Sequence, residues 1–198
     1  MKSIKFEAQL RTELGKRSTR QLRSEGLVPG VIYGKENINF AAKPLDLRHL
    51  VYTSEFQIAE ITIAGKEYRC ILKDKQFDVL TDDLNHIDFL ELVEDRKVIA
   101  NLPLKFVGQP EGVKAGGRLN IKAKTLKVRT LPKNLVESIE VDISGLNLND
   151  NLRVEDVQVG DMEVMNSPRI PVASVVLTRA LRQAGTEDAK TTSDSDEA

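Results

Sequence analysis

One cysteine and two histidines are all that the 198-residue chain offers for thiol or imidazole chemistry. A lone Cys70 excludes an internal disulfide and fits a reducing compartment. Two histidines without a cysteine cluster leave no zinc site of the usual kind. No run approaches the roughly 18 apolar residues that a membrane helix needs. The opening residues alternate polar and apolar and lack the apolar core of a signal peptide. No G-x-S-x-G, H-E-x-x-H or P-loop pattern occurs, and Gly112 and Gly116-Gly117 lack the strand–turn–helix context of a nucleotide fingerprint. These absences point to a cytoplasmic protein, not an enzyme, with no metal, no cofactor, no membrane and no small-molecule substrate.

What the chain does have is a balanced interior and an unbalanced charge pattern. Hydrophobic residues make up 40% and charged residues 30%, the composition of a folded protein. The formal net charge of −1 conceals four blocks of alternating sign. Residues 1–50 carry ten basic and five acidic groups, and residues 51–95 carry four and eleven. Residues 96–135 carry ten and one, and residues 136–198 carry five and thirteen. The basic blocks are either polyanion-facing surfaces or partners for the acidic ones within the fold.

Periodicity supplies the elements. Ile4, Phe6, Ala8 and Leu10 alternate with polar residues as a half-buried strand does. Lys16 to Glu25 reads as a helix, with Ser18 as a candidate N-cap and Gly26 just past its end. Pro29-Gly30 reads as a turn and Val31 to Tyr33 as a strand closed by Gly34. Leu47, Leu50 and Val51 give the segment Leu45 to Tyr52 one apolar helical face. Ile58 to Ile63 and Glu67 to Lys75 form a hairpin about Ala64-Gly65-Lys66. Asp82 to Asn85 is a loop and His86 to Leu90 a strand.

Past the charged Glu94-Asp95-Arg96 the β pattern starts again. Val98 to Ala100 and Leu102 to Val107 read as strand, and Gly108 to Gly117 as a long exposed loop. Leu119 to Val128 and Ile139 to Ile143 read as strands. Leu148 to Val157 holds one helical turn, and Pro171 to Leu177 is a final strand. From about Gln183 the chain is an acidic tail without apolar bulk, which predicts disorder. The expected fold is mainly β with a few short helices. It comprises a first β domain over 1–93, a second all-β domain over 94–182 and a tail over 183–198.

Three clusters carry chemistry. His86 and Asp88 share one face of a strand, where a carboxylate can orient an imidazole. Without a nucleophile beside them, a structural or nucleic-acid-contacting role outweighs catalysis. Arg11, Lys16, Arg17, Arg20 and Arg23 crowd 13 residues, and Arg17, Arg20 and Arg23 recur on one side of the helix. The guanidinium fork suits phosphate. The alternative is a solvated helix face, but only Glu13 and Glu25 interrupt the run, which favours polyanion binding. Lys114, Arg118, Lys122, Lys124, Lys127, Arg129 and Lys133 would form a basic ribbon on an extended hairpin. That ribbon would either attract phosphate without reading bases or be a solvated face. Cys70, between Tyr68 and Leu72 in a strand, reads as a small core residue.

These motifs resemble a known family. Arg11-x4-Lys16-x-Ser18-x-Arg20-x-Leu22-Arg23, then Pro29-Gly30-Val31-Ile32-Tyr33-Gly34, looks like the start of the twenty-fifth protein of the bacterial large ribosomal subunit. Lys73-Asp74-x-Gln76 and His86-Ile87-Asp88-Phe89 resemble its later motifs. Leu102-Pro103-Leu104-x-Phe106-x-Gly108, Gly112-Val113-Lys114-x-Gly116-Gly117 and Glu140 to Leu146 look like the long form, the general stress protein Ctc.

The resemblance implies an N-terminal β-barrel that binds 5S ribosomal RNA at its irregular loop E, within the central protuberance, beside other large-subunit components. It implies a second all-β domain of the Ctc type. Carried over residue by residue, the RNA face would comprise Arg11, Lys16, Arg20, Arg23, Tyr33, Gly34, Gln76, His86 and Asp88. Asp88 would accept from base amino groups or hold His86 or an arginine. Arg17 stands where other members can carry a small residue. The segment Phe77 to Asp83 is not basic, and Asp82-Asp83 would repel phosphate. A rival reading is a stress-related ribosome-associated interaction module acting through the second domain and tail; another is a small hydrolase built on His86 and Asp88.

Overall fold

The computed structural model describes residues 2–178; the acidic tail expected over 183–198 lies outside them. The chain divides into two compact units. One takes in residues up to Leu102 together with 128–138 and 161–163; the other takes Pro103–Lys127, Ile139–Gly160 and the described residues from Val164.

The first unit holds a closed six-stranded barrel. Its strands are β1 (Ser3–Leu10), β2 (Val28–Tyr33), β3 (Ile38–Ala42), β4 (Ile58–Ile63), β5 (Lys66–Phe77) and β6 (Leu84–Glu91), in the order β1-β3-β2-β6-β5-β4. Helix α1 (Lys16–Ser24) lies between β1 and β2, and α2 (Pro44–Val51) between β3 and β4. Two pairings are parallel. β1 runs beside β4 from Ser3 opposite Ile58 to Ala8 opposite Ile63. β2 runs beside β6 with Gly30 opposite Ile87 and Tyr33 opposite Leu90. The others are antiparallel, and closure leaves no free edge.

The alternation in the sequence becomes the barrel core. Phe40, Phe89, Ile32, Ile61 and Ile87 are fully buried, and Leu47, Leu50 and Val51 of α2 join the same cluster. The Phe40 and Phe89 rings sit 5.9 Å apart and tilted, with Phe6 6.2 Å from Phe89. Such contacts add about 0.5–1.5 kcal/mol each beyond area burial. The hairpin turn takes Ala64 and Gly65 through φ 48° and 78°, the pair of left-handed residues that a twisted hairpin favours.

Three expectations need correction in this unit. Pro29-Gly30 is not a turn but the interior of β2. Pro29 stands one residue before the pairing with β6 begins, where its missing N–H is tolerable. Gly30 is glycine because the barrel closes tightly there. A Cβ would lie 2.8 Å from both the Ile87 side chain and the Ile87 carbonyl oxygen, and against the Phe40 ring. The loop ends at Asp83, since Leu84 and Asn85 already belong to β6. The strand β3, which the pattern did not reveal, consists of Ile38-Asn39-Phe40-Ala41-Ala42 with its last three residues buried.

Later strands are β7 (Val98–Val107), β8 (Arg118–Ile121), β9 (Thr125–Thr130), β10 (Ile139–Asp142), β11 (Asn151–Arg153), β12 (Glu163–Val164) and β13 (Pro171–Val176). They form a four-stranded sheet ordered β10-β7-β9-β12 and a three-stranded sheet ordered β11-β13-β8. The basic ribbon is therefore not a hairpin, because β8 and β9 belong to different sheets. The expected long loop contains a short helix, α3 (Glu111–Lys114), and is not wholly exposed. Gly112 is buried, and a Cβ there would lie 2.6 Å from the Asn147 carbonyl carbon. The expected helical turn is present at Val154–Asp156.

Cys70 is fully buried on β5, as its strand position predicts. Burial, helped by the Glu91 carboxylate, pushes its thiol up from 9.0 to about 12. The unfolded chain then loses this proton before the folded one does. Stability contributed by the neutral thiol is complete below pH 9 and declines as pH rises toward 12. Cys70→Ala should reduce the fall in urea midpoint over that window relative to the native chain. Gly30→Ala should cost about 1–3 kcal/mol through overpacking; an unchanged urea midpoint would mean that Phe40 and Ile87 yield freely.

Candidate nucleic-acid interface

Helix α1 is built unlike α2. Its nine residues, Lys-Arg-Ser-Thr-Arg-Gln-Leu-Arg-Ser, include no buried side chain and no acid in the first turn. Hydrogen bonds hold it in place of burial. Gly15 is its N-cap at φ 119°, a conformation that glycine adopts readily. Ser18, expected as the cap, is already inside the helix and donates its hydroxyl to the Glu13 carbonyl at 3.2 Å. The Thr19 hydroxyl donates to the Gly15 carbonyl at 2.8 Å and accepts from Arg11 Nη2 at 2.7 Å. Arg11 Nε donates to the Glu13 carbonyl at 2.9 Å. At the other end, Gly26 (φ 77°) donates to the Arg23 carbonyl and Leu27 to that of Leu22. These two bonds make a Schellman motif.

Arg23 ties this helix to the barrel. Its Nε and Nη2 both donate to the Asn85 carbonyl, at 3.2 and 2.9 Å, across 62 residues of sequence. Arg23 is thus partly committed within the fold, which no local pattern signals. Arg20 and Lys16 are exposed and make no hydrogen bond or ion pair among the described residues. With Arg11, Thr19 and Arg23 they line a shallow open groove along α1.

The neighbouring β6 carries the second cluster. Ile87 and Phe89 point into the core with no exposure, so His86 and Asp88 point outward. His86 Nδ1 lies 3.2 Å from Asp88 Oδ1, with the side chains 24% and 16% exposed. Asp88 Oδ1 is otherwise buried without a hydrogen-bond donor. Gln76 on β5 stands opposite His86, and Val31 on β2 stands opposite Asp88. Tyr33, two residues beyond Val31, carries Lys73 Nζ 4.4 Å from its ring centroid. Gly34 leaves room for the Glu91 carboxylate, which accepts from the Lys35 amide at 3.2 Å.

The fold therefore brings Tyr33, Gln76, His86 and Asp88 onto the outer face of three adjacent strands. Arg23 joins α1 to the strand that carries His86 and Asp88. Arg11, Lys16 and Arg20 line the groove of that helix. The combination offers exposed cations for phosphate, a part-exposed aromatic ring and a part-exposed carboxylate beside an imidazole. No nucleophile stands beside His86, and no cluster that could hold a metal occurs among the described residues. No helix among them is long and apolar enough to cross a membrane.

Comparison with known proteins finds a family match for each of two successive stretches of the chain. Residues 6–89 match the Ribosomal L25p family, and residues 97–179 match the C-terminal domain of ribosomal protein TL5. The large ribosomal subunit protein bL25 of Amoebophilus asiaticus is 38% identical over 188 residues, covering 94% of this chain and 96% of that protein. Its counterpart from Porphyromonas gingivalis is 35% identical, covering 93% and 97%. That of Cytophaga hutchinsonii is 35% identical, covering 96% and 100%. The class is thus a non-enzymatic structural protein of the ribosome, which places it in the cytoplasm. The chain belongs to the bL25 family of the large subunit, in the long form that joins an L25 N-terminal domain to a TL5/CTC C-terminal domain.

Arg23→Ala should loosen α1 without unfolding the barrel. Amide exchange over residues 16–24 should speed up, with a stability loss of about 1 kcal/mol. Protection equal to that of the native chain would mean that the Asn85 contact does not hold the helix.

Proposed function

We propose that the protein binds 5S ribosomal RNA through its N-terminal domain, residues 1–93, at the irregular loop E, and so helps to build the central protuberance of the large subunit. The observation that carries this reading is the juxtaposition of an unburied basic helix with the outward face of β6. Arg11, Lys16, Arg20 and the remaining donors of Arg23 would meet phosphates along the α1 groove. Tyr33 and Gly34 would border the backbone. Gln76, His86 and Asp88 would meet base edges, with the part-exposed Asp88 carboxylate accepting from a base amino group.

A regular RNA duplex keeps its major-groove base edges in a deep, narrow groove. Side chains as short as Asp88 need a locally widened helix, which an irregular internal loop provides. Residues 94–182 are proposed as a separate Ctc-type domain that contacts other large-subunit components. No specific observation favours the stress-linked interaction module over this reading.

Arg20 supplies the test because no hydrogen bond or ion pair among the described residues competes for it. Arg20→Ala should weaken 5S ribosomal RNA binding by at least about 1 kcal/mol, the scale of a lost charge-assisted hydrogen bond. Binding by the native chain should also weaken steeply with salt, as several phosphate contacts require. Unchanged affinity in a calorimetric titration of Arg20→Ala would move the RNA site elsewhere.

A further inference from the structure

Two adjacent side chains have no role in the barrel or in the RNA reading. Val79 and Leu80, in the loop joining β5 to β6, are 95% and 94% exposed. Among the described residues the next most exposed large apolar side chain is Leu45, at 72%. The pair is held out by a well-bonded loop. Asp78 Oδ1 accepts from the amides of Leu80 at 2.9 Å and Thr81 at 3.3 Å, and Oδ2 accepts from the Asn85 side chain at 3.3 Å. The Asp78 amide donates to the Asp83 carbonyl at 2.8 Å, and the Asp82 amide to the Asp78 carbonyl at 3.1 Å. A tip fixed in this way loses little conformational freedom on docking.

Charge decides what the tip can meet. Asp82 and Asp83 are exposed beside it and form no ion pair among the described residues. Two uncompensated carboxylates repel phosphate, so the tip is a poor RNA contact although the strands it joins carry Gln76 and His86. A protein surface with an apolar depression and a Lys/Arg rim complements both features. We propose that Val79 and Leu80 are an anchor for a second, basic protein that sits beside the bound RNA, with Asp82 and Asp83 pairing its cations. The position beside RNA rests on the function proposed above; the protein contact does not.

The test uses the full chain in assembled large ribosomal subunits. Val79→Ser/Leu80→Ser should leave affinity for 5S ribosomal RNA within about twofold. It should lower retention of the chain on salt-washed subunits by about a hundredfold or more, the scale of two apolar side chains losing their burial. With p-benzoylphenylalanine in place of Val79, irradiation should cross-link to a protein segment bearing Lys or Arg, and Asp82→Asn/Asp83→Asn should lower that yield severalfold. Unchanged retention, an equal loss of RNA affinity, a cross-link to ribosomal RNA or none at all would each overturn the proposal. Should the native chain fail to bind 5S ribosomal RNA while the protein cross-link persists, the RNA reading falls and the anchor stands.

Discussion

Strand β6 can point only alternate residues inward, and that constraint orders the rest of the first unit. Ile87 and Phe89 are required by the core, where they meet Phe40, Phe6 and the backbone of Gly30. His86 and Asp88 are then forced outward. A one-residue slip of this strand would bury a carboxylate and expose a phenylalanine together. The register that keeps the core closed is therefore the same register that sets Gln76 opposite His86 and Val31 opposite Asp88. Interior and outward strand residues are specified by the register of one strand, β6.

Closure adds a second condition. β6 pairs with β5 on one side and with β2 on the other, and the second pairing is parallel. A parallel neighbour cannot come from a tight hairpin. Here it comes from β2, more than 50 residues earlier, and Gly30 allows the close approach. Irregularities between Leu72 and Asp74 and between Gln76 and Phe77 bend β5 so that its outward residues stay beside those of β6.

Local periodicity made much of this visible. β1, β4, β5, β6 and the apolar face of α2 read directly from alternation and i, i+3, i+4 spacing, and the shared face of His86 and Asp88 follows from two-residue spacing alone. What failed was whatever depended on distant chain. Pro29-Gly30 has the composition of a turn, and only Phe40 and Ile87 pressing on it make it a strand. Strand β3 ends in Ala41-Ala42, buried residues too small to give a strong pattern. The Lys-rich segment reads as one hairpin because sequence does not say that β8 and β9 pair with different partners. Gly34 and Gln76 follow only from the family resemblance, since neither spacing nor charge singles them out. The bond from Arg23 to the Asn85 carbonyl had no signal at all.

Helix α1 shows how a site can be prepared at a cost in local stability. Arg17, Arg20 and Arg23 repeat on one side, and like charges three and four apart disfavour a helix by a few tenths of a kcal/mol per pair. Without buried side chains, the helix depends on the Gly15 cap, the Arg11–Thr19 bond, the Schellman motif at Gly26 and the Arg23 anchor. Each of these fixes an end, and the middle is left basic and unscreened. A polyanion laid along that middle removes the repulsion that the unbound helix carries, so its binding also stabilises the helix. The same cationic face would add nothing on a helix held by core packing, whose order does not depend on what lies outside it.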